Sequence, residues 1–297
     1  MDAPSAEKST NVRLEIPRAI TGTVRLLHRV SPPLARRFAR RLFFTPPRRR
    51  LSARTLEVLA TGEPFVLRVR GGRVHGWRWG SGPAVYLLHG WGGRAGSLAH
   101  FVGPLVERGF AVVAFDAPGH GASDGRISTL LHYVAALRVA VREVAPVHAL
   151  LAHSMGAATA TYALRGGLAA ERAVFVGAAA DPFRFHDVFM QAVGLPSGDW
   201  PLSVREIEAW LGIPTRDVCV PVSAPAMTVP LLAFHDRGDP QVPWSESEEI
   251  VAAWPGARLV TTTGLGHREI LRDPEVIRAA VGFLAGGAAR EDGRLRA

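Results

Sequence analysis

Short, continuously apolar segments alternate with amphipathic stretches along most of the chain. The apolar segments are rich in valine, leucine and alanine, as is typical of strands that are buried on both faces. Strands are predicted at residues 84–88, 110–116, 147–152, 173–177, 229–235 and 258–262. Helices are predicted between them, near residues 97–108, 129–144, 155–165, 245–254 and 274–284. The alternation predicts an α/β fold with a mostly parallel twisted sheet and helices on both of its faces.

Two stretches depart from this alternation. Residues 65–79 alternate polar and apolar side chains around Gly71-Gly72, which predicts a β-hairpin. About fifty residues separate the strand that ends at Gly177 from the strand that starts at Val229, too many for a loop without structure. We therefore expect a helical cap insert at about residues 180–228. It should lie over the carboxyl ends of the strands, where α/β proteins bind ligands.

The predicted cap is rich in large apolar side chains. Either these side chains only pack the cap against the sheet, or some of them also line an apolar substrate pocket. The candidates for the pocket are Phe183, Phe185, Phe189, Met190 and Trp200.

Positive charge is concentrated near the N-terminus. The net charge is +9, and residues 1–54 hold 13 lysines and arginines against 3 acidic residues, so the rest of the chain is close to neutral. The 297 residues suffice for one large core with a small insert. We divide the chain into a basic N-terminal helical extension (1–60), a main domain that contains the cap (61–290) and a C-terminal tail (291–297).

The extension contains a predicted amphipathic helix at residues 31–44. Leu34, Phe38 and Leu42 recur every four residues and form an apolar stripe beside arginines. The favoured interpretation is a helix that packs on the main domain with its arginines in solvent, and contact with an anionic membrane is the alternative. No nucleic-acid partner is expected, because no sequence motif supports the recognition of bases.

Composition also bears on the compartment. Cys219 is the sole cysteine, which excludes an internal disulfide and a cysteine-based metal site. No segment approaches the ~18 consecutive apolar residues of a membrane-spanning helix. The first twenty residues lack the apolar block of a secretory signal. We expect a cytoplasmic protein, and the sequence carries no signal for its oligomeric state.

The segment Ala152-His153-Ser154-Met155-Gly156 joins a predicted buried strand to an alanine-rich helix. Small residues let the strand and helix backbones pass closely, and such a turn holds the serine hydroxyl clear of the sheet as a nucleophile. The N–H of Met155 would then face a developing oxyanion. The usual pattern is G-x-S-x-G, and Ala152 replaces its first glycine. A buried serine that caps the helix is the alternative interpretation.

A serine nucleophile needs a base and a carboxylate that orients the base. Downstream of Ser154, Asp236 and Asp239 follow a predicted strand, and His267 lies in a glycine-flanked loop after the last strand. With this order of residues, the chain resembles the α/β-hydrolase fold superfamily over about residues 65–285. Within that superfamily it is similar to the small, capped serine hydrolases of the esterase and lipase type.

The resemblance implies a role for each residue of the site. Asp239, three residues before Val242-Pro243, would be the acid and His267 the base, while Asp236 would cap the turn. The segment His89-Gly90-Trp91-Gly92-Gly93 matches the oxyanion loop, so the backbone N–H groups of Trp91 and Met155 would hold the oxyanion. The indole of Trp91 is a further candidate for the pocket wall.

The remaining polar residues of the matching motifs are expected to be structural. His89 would support the oxyanion loop, and His153 would be packed or hydrogen-bonded while it points away from the elbow. Asp116, His120 and Asp124 would shape the turn after the next strand.

The resemblance implies hydrolysis of a carboxylic ester with a small or medium acyl group, through an acyl-enzyme and without a metal or organic cofactor. Peptidase, lysophospholipase and thioesterase activities are alternatives on the same fold. Epoxide and haloalkane hydrolysis are disfavoured, because those relatives carry an aspartate where this chain has Ser154. A binding protein that has lost activity, and a lipase that docks on membranes, are alternatives of other classes.

Overall fold

A computed structural model describes residues 16–47 and 52–286, which leaves the predicted tail at 291–297 outside the described residues. Eight strands form a single sheet in the order β1-β2-β4-β3-β5-β6-β7-β8. The strands are β1 (Glu63–Val69), β2 (Gly72–Trp79), β3 (Ala84–Leu88), β4 (Ala111–Phe115), β5 (Val147–His153), β6 (Arg172–Val176), β7 (Leu231–Asp236) and β8 (Arg258–Thr262). Strands β3 to β8 run parallel, and β1 and β2 form the predicted hairpin, which pairs antiparallel with β4.

The parallel strands are apolar on both faces because helices cover both faces. In β3, Tyr86 and Leu88 belong to one buried cluster, whereas Val85 and Leu87 belong to the other. The described helices are α1 (Arg18–Val30), α2 (Pro32–Phe43), α3 (Ala53–Ala60), α4 (Val102–Glu107), α5 (Leu130–Glu143), α6 (Met155–Arg165), α7 (His186–Ala192), α8 (Trp200–Leu211), α9 (Val220–Ser223), α10 (Trp244–Ala253), α11 (Gly266–Glu269) and α12 (Pro274–Leu284). The predicted α/β fold with a mostly parallel sheet is confirmed.

One predicted helix differs in its type. The sequence predicts a helix near residues 97–108, but a 3₁₀ helix spans Ala95–Phe101 and the α-helix begins only at Val102. Pro104 explains the difference, since proline is tolerated in the first turn of an α-helix but disrupts its interior.

Helical segments make up most of the chain between the end of β6 and the start of β7, where the sequence predicts the cap. Helices α7, α8 and α9 lie in this insert and are separated by short 3₁₀ turns. Helices α1 and α2, in the part of the N-terminal extension that we call the arm (residues 16–47), pack against each other, and α2 contacts both α7 and α8. One small core joins the arm to the cap. Its buried members are Val24, Ala35, Ala39, Met190, Val193 and Leu195.

The arm therefore packs on the cap, and not all of its arginines are in solvent as the sequence analysis expects. Arg36 is buried, with Nη1 2.6 Å from Oδ1 of Asp199 and Nε 2.8 Å from Oε1 of Glu206. The other oxygen of Asp199 lies 2.6 Å from Nε2 of His28. The expectation of solvated arginines is wrong for Arg36, because the cap supplies two carboxylates that pair with it. The sequence of the arm carries no information about these partners.

Across residues 16–47 and 52–286, no helix is both long enough and apolar enough to cross a bilayer.

Candidate active site

Ser154 occupies a sharp turn between β5 and α6, as the sequence predicts. Its φ of 55° and ψ of −123° make it the one non-glycine residue with positive φ in the described chain. Such a conformation costs on the order of 1–3 kcal/mol and persists only where the surrounding structure enforces it. Within the described chain, the Ser154 side chain makes no capping hydrogen bond to the first turn of α6, which argues against a helix-capping role.

Small neighbours make the turn sterically feasible. A Cβ at Gly156 would lie 2.3 Å from the carbonyl oxygen of Leu88, and one at Gly90 would lie 2.7 Å from Cβ of Ser154. Ala152, which stands where relatives carry glycine, is fully buried at the end of β5. The elbow therefore tolerates alanine at its first position but not at the positions of Gly90 and Gly156.

His267 and Asp239 form a direct pair. Nδ1 of His267 lies 2.6 Å from Oδ2 of Asp239, and both side chains are buried. The other oxygen of Asp239 accepts hydrogen bonds from the backbone N–H groups of Gln241 and Val242, at 2.8 and 3.0 Å. Because this pairing engages Nδ1, Nε2 is the ring nitrogen of His267 that is available for proton transfer.

The Asp239 carboxylate is stabilised in its charged form. Burial raises the pKa of this group. Hydrogen bonds from His235 and His267 and from the Val242 amide act in the opposite direction and outweigh burial, so the pKa of Asp239 lies well below its ordinary value. The carboxylate is therefore ionised at neutral pH and can stabilise an imidazolium at His267.

The sequence analysis missed His235, a second histidine at this carboxylate. Its Nε2 lies 3.3 Å from Oδ2 of Asp239 and 3.0 Å from the carbonyl oxygen of Val242, and its Nδ1 lies 2.6 Å from Oγ of Ser247. The side chain is fully buried. Its position four residues before Asp239, at the end of a buried strand, is the one sequence signal that could have identified it.

Asp236 holds the turn and the histidine loop, in line with the capping role expected for it. Oδ1 accepts a hydrogen bond from the N–H of Gly238, and Oδ2 accepts from the Thr262 hydroxyl and the Leu265 N–H. Burial raises the pKa of Asp236, but these bonds lower it below its ordinary value. Asp236 thus anchors the segment that carries His267, and among the described residues it is Asp239 that forms the hydrogen bond with the imidazole.

His153 lies against the site, whereas the sequence analysis expects it to point away. Its Nε2 donates a 3.0 Å hydrogen bond to the carbonyl oxygen of His267, and the two rings have centroids 4.6 Å apart. Burial, and then the neighbouring His267, lower the pKa of His153 to about 3. The side chain is buried and hydrogen-bonded, as the sequence analysis expects, but it lies beside the cavity and against the loop that carries His267.

The proposed oxyanion donors lie beside the serine. Trp91 and Met155 line the same cavity as Ser154. In the part of the chain that the structure describes, neither of their backbone N–H groups donates to a protein acceptor. The Met155 N–H is one of the unpaired donors that begin every helix. Both amides are therefore available to a ligand.

Buried polar groups support the oxyanion loop from behind. Nδ1 of His89 donates to the carbonyl oxygen of Gly90 and its Nε2 accepts from the N–H of Ala117, at 2.8 and 3.0 Å. Burial lowers the pKa of His89 to about 4. His120 accepts from the N–H of Gly92 at 3.2 Å, and Asp116 accepts from the N–H of Ala95 at 2.8 Å.

Asp124 belongs to the same turn, in which its carbonyl oxygen accepts a 2.9 Å hydrogen bond from the N–H of Gly119. It pairs with Arg73 on the hairpin at 3.2 Å. His89, Asp116, His120 and Asp124 thus have the structural contacts that the sequence analysis expects of them.

One cavity of about 860 Å³ contains the elbow and the histidine. Ser154, His267, Trp91 and Met155 line it. Of the residues predicted for the pocket in the cap, Phe183, Phe185 and Phe189 line it as well. The sequence analysis missed the lining residues of the arm, which include Leu42, Phe43 and Phe44.

Met190 and Trp200 are placed elsewhere, which corrects their predicted role. Met190 is fully buried in the core between the arm and the cap, and Trp200 packs against that core. The indole N–H of Trp200 donates to the carbonyl oxygen of Leu195 at 3.1 Å. Met190 and Trp200 therefore pack in the contact between the arm and the cap. The sequence alone does not show that the arm packs on the cap.

The site contains no evident position for a metal. Within the described residues, no three histidine, cysteine, aspartate or glutamate side chains are grouped in a way that could hold a metal ion.

Family models match most of the sheet and the cap. A model described as serine aminopeptidase, S33, matches residues 82–194, and a model described as TAP-like protein matches residues 208–294. A search of curated proteins finds no significant match. Both matches begin downstream of the arm.

Solved structures of several hydrolases share the fold. A putative lipase from Acinetobacter baumannii AYE has a TM-score of 0.61 and 17% identity, covering 80% of this chain and 98% of that protein. An esterase from Exiguobacterium antarcticum has a TM-score of 0.58 and 19% identity, covering 75% of this chain and 99% of that protein. A monoacylglycerol lipase from Paleococcus ferrophilus has a TM-score of 0.57 and 22% identity, covering 72% and 99%.

At these identities the likeness concerns the fold. The order of the eight strands, the serine elbow after β5 and both family matches lead to the same conclusion. The chain has the α/β-hydrolase fold.

Proposed function

We propose that this protein is a serine hydrolase that cleaves a carboxylic ester through an acyl-enzyme. The observation that carries the proposal is that Ser154, held at positive φ, and His267 line one cavity, and that His267 is hydrogen-bonded to the buried Asp239. A serine, a base and an orienting carboxylate are the three groups that this chemistry needs.

In the first half of the reaction, Oγ of Ser154 attacks the ester carbonyl carbon while Nε2 of His267 takes the hydroxyl proton. The carbonyl electron pair moves to the oxygen, and the N–H groups of Trp91 and Met155 stabilise the resulting oxyanion, each by about 10²–10³ in rate. Asp239 stabilises the imidazolium. The intermediate collapses with cleavage of the bond to the alcohol oxygen, which receives the proton from His267.

In the second half, water attacks the acyl-enzyme. His267 takes a proton from the water as a second tetrahedral intermediate forms, and the same two amides stabilise its oxyanion. Collapse breaks the bond to Ser154, which regains its proton from His267. The net change is one ester and one water converted to one acid and one alcohol, so this scheme requires no metal or organic cofactor.

Peptide bond hydrolysis is the second candidate, because the matching family model is described as serine aminopeptidase. An aminopeptidase must bind the free α-ammonium group of its substrate, for which a carboxylate is the expected partner. Among the described residues that line the cavity, the formally charged side chains are Arg94, Arg268 and Arg272, and none is acidic. This lining favours an ester over a peptide N-terminus.

The proposal is tested with p-nitrophenyl esters of increasing chain length and p-nitroanilides of single amino acids, and with a fluorophosphonate probe. We expect the wild type to hydrolyse esters in preference to anilides and to be labelled by the probe. Ser154→Ala should lose labelling and about 10⁶ in turnover. An unlabelled wild type without activity would instead support a binding protein, and preferential hydrolysis of the anilides would support the peptidase.

A further inference from the structure

The cavity has a wall that lies outside both family matches. Six of its lining residues belong to the arm, upstream of residue 82, where the first match begins. They are Ile16, Leu42, Phe43, Phe44, Thr45 and Pro47. Four of these six side chains are large and apolar, or aromatic. The arm is therefore part of the substrate cavity and not only a support for the cap.

Aromatic rings of the arm and of the cap form a continuous surface. The ring of Phe43 has its centroid 5.3 Å from that of Phe189 and 6.1 Å from that of Phe183. The ring of Phe44 lies 6.3 Å from Phe183 and 5.2 Å from Trp210. Ring pairs at these separations are stabilising, so this part of the wall has a defined shape.

Two polar contacts and one close packing contact fix the arm to three other parts of the protein. Arg36 pairs with Asp199 and Glu206 of the cap. The carbonyl oxygen of Phe44 accepts a 2.8 Å hydrogen bond from the N–H of Ser128, which precedes α5. Pro47 covers the oxyanion loop so closely that a Cβ at Gly92 would lie 2.8 Å from Cγ of the proline ring. The arm is thus built into the site.

We propose that the arm and the cap together form an acyl-binding site for an apolar chain, and that Phe43 sets how much of that chain the site accepts. This inference rests on the proposed ester hydrolysis for its link to Ser154. The volume of about 860 Å³ lies near the upper end of the ~300–1,000 Å³ of small-molecule sites. Such a volume accommodates far more than a short acyl group.

Phe43 is the informative position. It contacts rings of the cap and lines the cavity, yet it is only partly buried, whereas its neighbour Phe44 is buried. A change at Phe43 should therefore alter the cavity with less damage to the core. Phe38, on the same helix, packs against the same core between the arm and the cap as Phe43 does, but it does not belong to the described lining of this cavity. It provides the matched control.

The test measures binding, so that it does not depend on turnover. Saturated fatty acids of six to fourteen carbons, which mimic the acyl product, are titrated into the full-length Ser154→Ala protein by calorimetry. Each methylene that becomes buried should lower Kd by about fourfold, until the chain fills the site and Kd reaches a plateau. In the same background, Phe43→Ala should move the plateau to longer chains and Phe43→Trp to shorter ones. Phe38→Leu should leave it where it was.

Two results would overturn the inference. One is a plateau at the same chain length in both Phe43 variants, and the other is the absence of fatty acid binding in the parent protein. Phe43→Leu, a milder change that retains an apolar side chain, should shift the plateau to longer chains even if Phe43→Ala does not fold. Failure of the proposed function is detected separately, as a wild type that neither reacts with the fluorophosphonate probe nor hydrolyses esters.

Discussion

Nε2 of His235 lies 3.3 Å from Oδ2 of Asp239, the same oxygen that pairs with His267 at 2.6 Å. Two histidines therefore approach one carboxylate oxygen in a buried environment. The contacts of His235 with Ser247 and with the Val242 carbonyl fix its ring. Unlike His267, His235 is not among the described residues that line the cavity. His235 is thus a positioning residue, since it acts on the reaction through Asp239.

Loss of this contact should weaken the chemical step. His235→Leu is expected to lower kcat by about tenfold with little change in KM, because a hydrogen bond to a charged group contributes roughly 1.5–3 kcal/mol. His235→Gln retains an N–H donor and should recover a large part of kcat. Steady-state kinetics on one p-nitrophenyl ester measure both variants. An increase in KM without a change in kcat, or no recovery with glutamine, would show that His235 has only a structural role.

The two aspartates after β7 should behave differently. Asp239→Asn is expected to lower kcat by about 10⁴, because the amide cannot stabilise the imidazolium in the same way. Asp236→Asn replaces an acceptor of three hydrogen bonds and should lower the free energy of unfolding by about 1–3 kcal/mol, with a smaller loss of activity. Kinetics and urea denaturation of the two variants decide the matter. If Asp236→Asn lost more kcat than Asp239→Asn, the choice of acid would be reversed.

The arm should stabilise the protein through Arg36. Arg36→Met leaves Asp199 and Glu206 without this cation, and breaking a buried ion pair costs about 3–5 kcal/mol. We expect a lower Tm for this variant and faster proteolysis within the arm. Arg37→Met, at the adjacent exposed position, is the matched control and should change stability by less than about 0.5 kcal/mol. Equal Tm values for both variants would contradict a stabilising role of the buried pairs.

Stability should decrease in mild acid because two histidines are buried in their neutral form. The pKa of His89 is lowered from 6.5 to about 4 and that of His153 to about 3, in both cases mainly by burial. Below pH 6.5 the unfolded chain therefore binds protons that the folded chain does not. The stabilisation is complete above that pH and is lost as the pH falls towards the folded pKa values.

The expected loss between pH 7 and pH 5 is about 2 kcal/mol for each of these two histidines. Urea denaturation at the two pH values measures it. His89→Gln removes one of the titrating groups and should reduce the difference by about half. A free energy of unfolding that is the same at pH 7 and pH 5 in the wild type would show that these side chains are protonated in the folded protein.

Local patterns in the sequence were sufficient for the fold class. Buried parallel strands need apolar residues on both faces. Strands β3, β4, β5 and β7 are therefore recognisable in the sequence as mostly apolar runs, without knowledge of which strands pair with them. The small residues around Ser154 identify the turn for a similar reason, since close backbone approach excludes larger side chains at Gly156. Proline likewise fixes φ locally, and glycine permits the positive φ that turns require.

Contacts between distant segments required the tertiary structure. The burial of Arg36, the approach of His235 to Asp239 and the contact of His153 with His267 each depend on how loops pack after the sheet has formed. The arm is the clearest example of a contact that the sequence does not specify. Its apolar stripe of Leu34, Phe38 and Leu42 could pack against any apolar surface.

The sequence by itself thus determined the strands, the helices and the chemistry available at the elbow, because periodicity and residue size act locally. Only the tertiary structure decided which apolar side chains form the cavity. Phe43 entered it and Met190 did not, because the surface that a side chain covers depends on which helices pack together, and helix packing is a property of the whole fold.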